Sequence, residues 1–285
     1  MRFLDNVMTD FINRAPDEFA HAKYSAMRER SVGLGVMGLH SFFQQKNIPF
    51  GSVMSKVWNQ KIFKHVQEKA DQASVKLAEE RGPCPDAEEY GIKERFSNKT
   101  AIAPTASISV ICGGASPGIE PIAANSYTHK TLSGSFNVRN KYLAKILEKH
   151  GKNDDETWSS ITTNQGSVSH LGFLTDIEKD TFKTAFEIDQ RWIVELGADR
   201  TPHISQAQSV NIFVPADIHK KERHDIHFQA WKKGLKSLYY CRSKSIQRAE
   251  NVNSGSSTDV TKNVYSGKQE SNNESNNYEE CLSCQ

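Results

Sequence analysis

Helices and short strands alternate along this chain, and the alternation predicts an α/β fold whose strands are joined by crossover helices. Two patterns carry the prediction. Apolar residues recur at helical spacing in segments that end at glycine or proline. Between them lie short apolar stretches of the length expected for buried strands. No internal repeat interrupts the order.

Phe3, Leu4, Val7, Met8, Phe11 and Ile12 space as one face of a first helix, which stops at Pro16. A second, charged helix is predicted from Pro16 to about Arg30. Ser31 to Leu39 is apolar and glycine-rich and reads as a buried strand running into Phe42 and Phe43. Met54 to Arg81 forms a long helix, with Gly82 and Pro83 as its stop. Lys99 to Ala103 reads as a short strand, and residues 104–126, rich in serine, glycine and proline, as a loop region. Lys141 to His150 is a short amphipathic helix closed by Gly151. Asp176 is placed to cap a further helix that ends near Gly197, with Ile177, Phe182, Ala185, Phe186 and Ile193 as its buried face. Gln208 to Val214 reads as a strand, Asp225 to Lys236 as a helix and Ser237 to Cys241 as a last short strand.

The 285 residues are 37% hydrophobic and 25% charged, the balance of a soluble globular protein with a polar extension. A net charge of +2 without a Lys/Arg block gives no electrostatic footprint for nucleic acid. No apolar run approaches membrane-spanning length, and the opening residues read as the middle of a helix, not as a signal peptide. The five cysteines, an odd count without framework spacing, suit a reducing cytoplasm.

The chain divides into a folded part, 1–242, and a tail, 243–285. The tail is mostly Ser, Asn, Glu, Lys, Thr and Gly, with Val252, Val260 and Val264 among its few aliphatic residues. Such a stretch buries too little apolar surface to offset the entropy of ordering it, so mobility is expected. Cys281 and Cys284 stand at its tip. On a polar coil of about 38 residues, with a root-mean-square span of roughly 35 Å, a dithiol can carry electrons between a neighbouring active site and an external reductant. Two incidental cysteines are the plain alternative. Zinc is disfavoured because two thiolates fill only half a tetrahedral site. A thioredoxin-type motif would need a strand-helix unit after it.

Gly33, Gly35 and Gly38 match the dinucleotide fingerprint letter for letter. The context does not, since charged, helical Lys23 to Arg30 precedes the glycines where a strand should stand. Small residues that let a strand pack closely are the better reading, with a nucleotide-binding dehydrogenase as the distant rival. Ala103 to Ser109 follows a strand and offers hydroxyls and free backbone N–H groups after Pro104. A phosphate cradle and an ordinary strand-to-helix turn both fit it. Tyr239 and Tyr240 place two phenols side by side in an apolar setting. Packing explains such a pair, and so does hydrogen-atom transfer, which moves oxidising power without moving net charge. Strand neighbours point to opposite faces, so ring contact requires a departure from regular strand geometry. His219, His224 and His227 lie in a charged stretch and read as a solvated face. Cys84 and Cys112 read as buried small hydrophobes.

Five segments, in order and with suitable gaps, resemble the C-terminal part of the large catalytic subunit of class I ribonucleotide reductases. They are Arg30 to Gly38, Ala103 to Ser107, Pro117 to Pro121, Lys236 to Tyr240, and the terminal Cys281 and Cys284. The resemblance implies the C-terminal part of a ten-stranded α/β barrel built around a finger loop. It implies that Pro104, Thr105, Ala106, Ser107 and Ile108 hold the diphosphate of a ribonucleotide. It also implies that Tyr239 and Tyr240 relay a radical from a metal-containing small subunit to an active-site cysteine. Cys281 and Cys284 would then re-reduce the active-site disulfide and be reduced in turn by thioredoxin or glutaredoxin. No organic cofactor is implied in this chain.

The departures are as informative. The family's Asn-x-Cys-x-Glu segment, which supplies the thiyl radical and a carboxylate, does not occur in the sequence. Nor do the two cysteines that reduce the ribose, nor the nucleotide-sensing N-terminal region. The expectation is a C-terminal fragment that needs a separate chain bearing the missing part. A non-catalytic binding or scaffold fragment that keeps the fold is the alternative.

Overall fold

A computed structural model describes residues 1–131 and 134–243, so Cys281 and Cys284 lie outside the described residues. Helix α1 (Arg2–Arg14) ends before Pro16, and a 3-10 turn at Asp17–Phe19 leads into α2 (Ala20–Glu29). Gly38, at φ 82°, turns the chain into α3 (Leu39–Gln45). Phe42 and Phe43 therefore sit on a helix and do not continue a strand, because a left-handed glycine breaks the extended run. Helix α4 (Val53–Arg81) opens on a Ser52/Ser55 capping box and stops at Gly82. Helix α5 (Pro85–Glu89) follows. The region expected to be loop contains α6 (Ala106–Ile111) and leads into a hairpin of β1 (Ser126–Thr131) and β2 (Gly134–Arg139). These antiparallel strands pair Ser126 with Arg139, and the polar run Ser-Tyr-Thr-His-Lys-Thr gave no alternation to reveal them.

Helix α7 (Lys141–Lys149) is capped by Asn140, and α8 (Asp155–Thr163), which the sequence reading missed, by Asp154. The single helix expected from Asp176 is two. Thr175, not Asp176, caps α9 (Asp176–Thr181), and Asp189 caps α10 (Gln190–Arg200). Between them the Glu187 carboxylate accepts both the N–H and the hydroxyl of Thr184 at 2.8 Å. That local turn competes with helical bonding. Strand β3 (Ile212–Val214), α11 (Lys220–Lys232) and β4 (Cys241–Ser243) complete the described fold. Helix α11 starts one turn before Asp225, and β4 begins after the two tyrosines expected inside it. No described helix is long and apolar enough to cross a membrane.

Apart from the β1–β2 hairpin, the extended segments line up as rungs of one parallel ladder. Leu34 bridges Thr100, Ile102 bridges Gln208, and β3 pairs with β4. Between rungs, Ala101 donates to the Leu34 carbonyl, Ser209 to Ile102, and Tyr239 to Val210. Each extended segment thus lies beside the next in sequence, with helices crossing over between them, as in an arc of an α/β barrel. Phe43, Phe50, Phe63, Leu196, Val210 and Phe213 form the core behind this arc. A second core, around Leu143, Trp158, Ile161 and Phe182, joins α7, α8 and α9.

The Gly33, Gly35 and Gly38 pattern is explained here without a nucleotide. A Cβ on Gly35 would come within 2.6 Å of the Ala101 carbonyl oxygen, and one on Gly33 within 3.0 Å of the Ala101 side chain. Only glycine lets this segment approach its neighbour closely enough to bond. Gly35→Ala is therefore expected to destabilise the fold by about 2 kcal/mol or more in denaturant titration. Gly172→Ala, where an added Cβ meets nothing within 4 Å, is expected to change little.

Candidate functional site

The sequence motifs converge on the arc, and hydrogen bonds link them one to another. Thr105 starts α6 in the left-handed region, at φ 54°, a strained conformation for a β-branched residue. Its hydroxyl accepts the Gly118 N–H at 2.7 Å, so it braces the loop from within. The Gly118 backbone runs hard against this loop, where an added Cβ would meet the Ala103 carbonyl at 3.0 Å. The first turn of α6 leaves the N–H groups of Ala106, Ser107 and Ile108 without intrahelical acceptors. Ser107 and Ile108 are exposed, while Pro104, Thr105 and Ala106 are half-buried. Ser116 and Ser41 exchange backbone-to-hydroxyl bonds at 2.8 and 3.1 Å, which ties the 116–118 segment to the start of α3.

Tyr239 and Tyr240 touch, with ring centroids 4.2 Å apart and planes at 53°. In a regular parallel ladder one residue would both donate to Val210 and accept from Ile212. Here Tyr239 donates to Val210 at 2.8 Å and Tyr240 accepts from Ile212 at 3.0 Å. Two residues stand where the ladder has one, which is a β-bulge, and this departure brings neighbouring rings to one side. The N–H of Tyr240, displaced from the ladder, donates to Asn211 Oδ1 at 2.9 Å. Lys236 ties the approach to the bulge, donating to the carbonyls of Ile204, Ser205 and Gln206 at 2.9, 2.7 and 2.9 Å. The rings are not buried as expected: Tyr239 is 44% and Tyr240 42% exposed.

Glu120 and Asn211 join the two halves of the site. Asn211, 1% exposed, donates from Nδ2 to Glu120 Oε1 at 2.5 Å. Burial pushes the Glu120 carboxyl up from 4.5 to about 7, against the opposing charge of Arg242. The Arg242 guanidinium in turn lies 5.6 Å from the centre of the Tyr240 ring, within cation–π reach.

Other residues singled out from sequence lie elsewhere. Cys84 is buried as expected, whereas Cys112, in the turn that ends α6, and Cys241, at the start of β4, are exposed thiols. His219 caps α11, and His224 and His227 line a basic hollow of about 400 Å³ with Lys220, Arg223 and Cys241. Among the described residues no cluster of His, Cys, Asp or Glu could hold a metal ion.

Residues 1–93 and 86–241 match the family described as "Ribonucleotide reductase, barrel domain". The chain belongs to this ribonucleotide reductase family. It is 47% identical over 258 residues to the ribonucleoside-diphosphate reductase large subunit of Invertebrate iridescent virus 6, covering 89% of this chain and 27% of that protein. To the putative large subunit of Frog virus 3 it is 41% identical, covering 85% of this chain and 43% of that one. Among solved structures, the class Id ribonucleotide reductase alpha subunit of Actinobacillus ureae superposes with a TM-score of 0.79 at 39% identity. That match covers 85% of this chain and 45% of the other. The chain thus spans about a quarter to just under half the length of these relatives, and its ladder is part of the ribonucleotide reductase α/β barrel.

Glu120 lies within the Pro117 to Pro121 segment that resembles ribonucleotide reductases, but nothing in the sequence marked Asn211 or Arg242. An asparagine inside an apolar strand, Val210-Asn211-Ile212, was the available signal. The Glu120 carboxyl gives a pH signature with a definite sign. Below pH 4.5 it is protonated in both folded and unfolded chains. As pH rises from 4.5 to about 7 only the unfolded chain releases the proton, so folded stability falls. The loss is on the order of 3 kcal/mol by pH 8. Glu120→Gln, which keeps the neutral form, is therefore expected to raise the melting temperature relative to wild type more at pH 8 than at pH 5.

Proposed function

We propose that this chain supplies a substrate-phosphate loop, a tyrosine relay and a tail dithiol to a ribonucleoside-diphosphate reductase. That enzyme is an oxidoreductase of deoxyribonucleotide synthesis acting in the cytoplasm. The observation that carries the reading is the contact between the Tyr239 and Tyr240 rings at the bulge. A phenol with a pKa near 10 does not become a bare cation in low dielectric, so its electron and proton must leave together. Adjacent rings meet that need: a radical on one phenol takes a hydrogen atom from the other, and no net charge moves. Their partial exposure leaves room for a radical donor on one side and an acceptor on the other.

The donor is the metal-containing small subunit. The acceptor is the cysteine of an Asn-x-Cys-x-Glu segment, which this sequence does not contain and which we place on a separate chain. The substrate is a ribonucleoside diphosphate whose 2′-hydroxyl is replaced by hydrogen. Its diphosphate rests on the loop of Pro104, Thr105, Ala106, Ser107 and Ile108, where the open N–H groups of α6 and the exposed Ser107 hydroxyl supply donors. Two electrons come from an active-site dithiol, which closes as a disulfide. Cys281 and Cys284 reduce that disulfide by thiol–disulfide exchange, and thioredoxin or glutaredoxin reopens theirs. No organic cofactor takes part on this chain.

Reconstitution tests the reading. Mixed with a chain bearing the Asn-x-Cys-x-Glu segment and with the small subunit, the protein is expected to support reduction of ribonucleoside diphosphates. Tyr239→Phe or Tyr240→Phe then abolishes turnover while subunit binding survives. A folded assembly that never turns over would make the chain a scaffold. Replacing Cys281 and Cys284 together by serine is expected to spare one turnover and stop thioredoxin-supported cycling, measured as product per enzyme.

A further inference from the structure

The bulge that brings the tyrosines together holds only if the displaced N–H of Tyr240 finds an acceptor, and Asn211 Oδ1 is that acceptor at 2.9 Å. An asparagine side chain is nearly symmetric in shape, and either end of its amide fits the same space. Reversed, the Asn211 amide would point its own N–H at the N–H of Tyr240, and the bulge would lose its bond. What fixes the orientation is the group on the far side. Glu120 Oε1 accepts from Asn211 Nδ2 at 2.5 Å, so the nitrogen faces Glu120 and the oxygen faces Tyr240. Glu120 is itself held by its N–H to the Pro117 carbonyl at 3.0 Å. Arg242, next on the strand beyond Cys241, lies over the ring of Tyr240. The tyrosine is thus gripped at its backbone from one side and at its ring face from another.

We propose that Glu120 is a positioning residue for the tyrosine pair: by orienting the Asn211 amide it fixes the backbone of Tyr240 and so the contact of its ring with Tyr239. Glu120 does this through Asn211 and needs no contact with substrate. The structural half of the proposal stands on the chain alone, and the functional half rests on the relay reading above.

The two halves separate experimentally. In the full chain, Glu120→Ala speeds amide hydrogen exchange at Tyr240 about tenfold, and Glu120→Gln, whose side-chain oxygen still accepts from Asn211, stays within about twofold of wild type. Asn211→Ala gives the same acceleration from the other end of the link, and it decides the matter should Glu120→Ala fail to fold. In the reconstituted assembly, Glu120→Ala lowers kcat about tenfold at unchanged KM, and Glu120→Gln restores it. Wild-type exchange at Tyr240 in the folded alanine variants overturns the proposal. Faster exchange with wild-type kcat also overturns it when Tyr240→Phe is inactive. If Tyr240→Phe is active, the relay reading falls, and the exchange result alone decides whether Glu120 positions the tyrosine.

Discussion

Extended backbone inside an α/β layer has no water to bond, so every N–H and C=O along it must find a partner in the protein. The ladder of this chain is made of short rungs, and side chains fill the gaps between them. Ser205 Oγ accepts the N–H groups of Lys99 and Thr100 at 2.9 and 3.0 Å. Gln190 Oε1 takes that of Phe213 at 2.7 Å, and Asn211 that of Tyr240. The Lys236 ammonium satisfies three carbonyls in a row. An orphaned group at any of these places would cost about 1–3 kcal/mol. The irregularity at Tyr239 and Tyr240 is therefore possible only because polar side chains stand where strands would otherwise have to continue.

The same rule separates two buried carboxylates. Burial works to raise the pKa of Asp5, but Arg95, Arg30 and Arg81 bond to it and hold it below the usual carboxylate range. The ionised group pins α1 to the end of α4 and to both flanks of the ladder's first rung. Glu120 is also buried, but its closest partner is a neutral amide and its cation is more distant, so burial prevails. Arg200 shows the cationic counterpart. Burial lowers its pKa to about 9, and its guanidinium donates to the Gln208 and Asn59 amide oxygens, with the Phe63 ring 5.6 Å away. It remains charged at neutral pH. The partner, more than the depth, decides the protonation state.

Much of this was legible in the sequence where one local force dominates. The long helix ends at Gly82 because glycine and proline stop helices, and periodicity found its body. The packing role of Gly33 and Gly35 also followed from context, since nothing before them could form the strand that a nucleotide site needs. Where forces compete, the sequence was silent or misleading. Thr184 and Glu187 break a helix that apolar spacing alone would continue to Ile193. Gly38 turns an apolar run into α3, and the hairpin at 126–139 carries no period-two pattern. At the site, the loop, the Pro117 to Pro121 segment and the tyrosines were each visible as motifs. The amide that joins them was not, because its role lies in pairing register, a property of two segments distant in sequence.

Register is also why the tyrosine contact deserves a physical explanation of its own. Two adjacent tyrosines in a strand face opposite ways, and no choice of rotamer brings their rings to 4.2 Å across a flat pleat. The contact exists because Tyr239 and Tyr240 share the bonds of one ladder position. Shifting the segment by one residue would restore a regular ladder and separate the rings. Against that shift stand the three bonds of Lys236 before the bulge, the Asn211 amide at it, and the β3–β4 pairing of Ile212 with Cys241 after it. Each of these contacts holds backbone, so the frame fixes where the two rings meet.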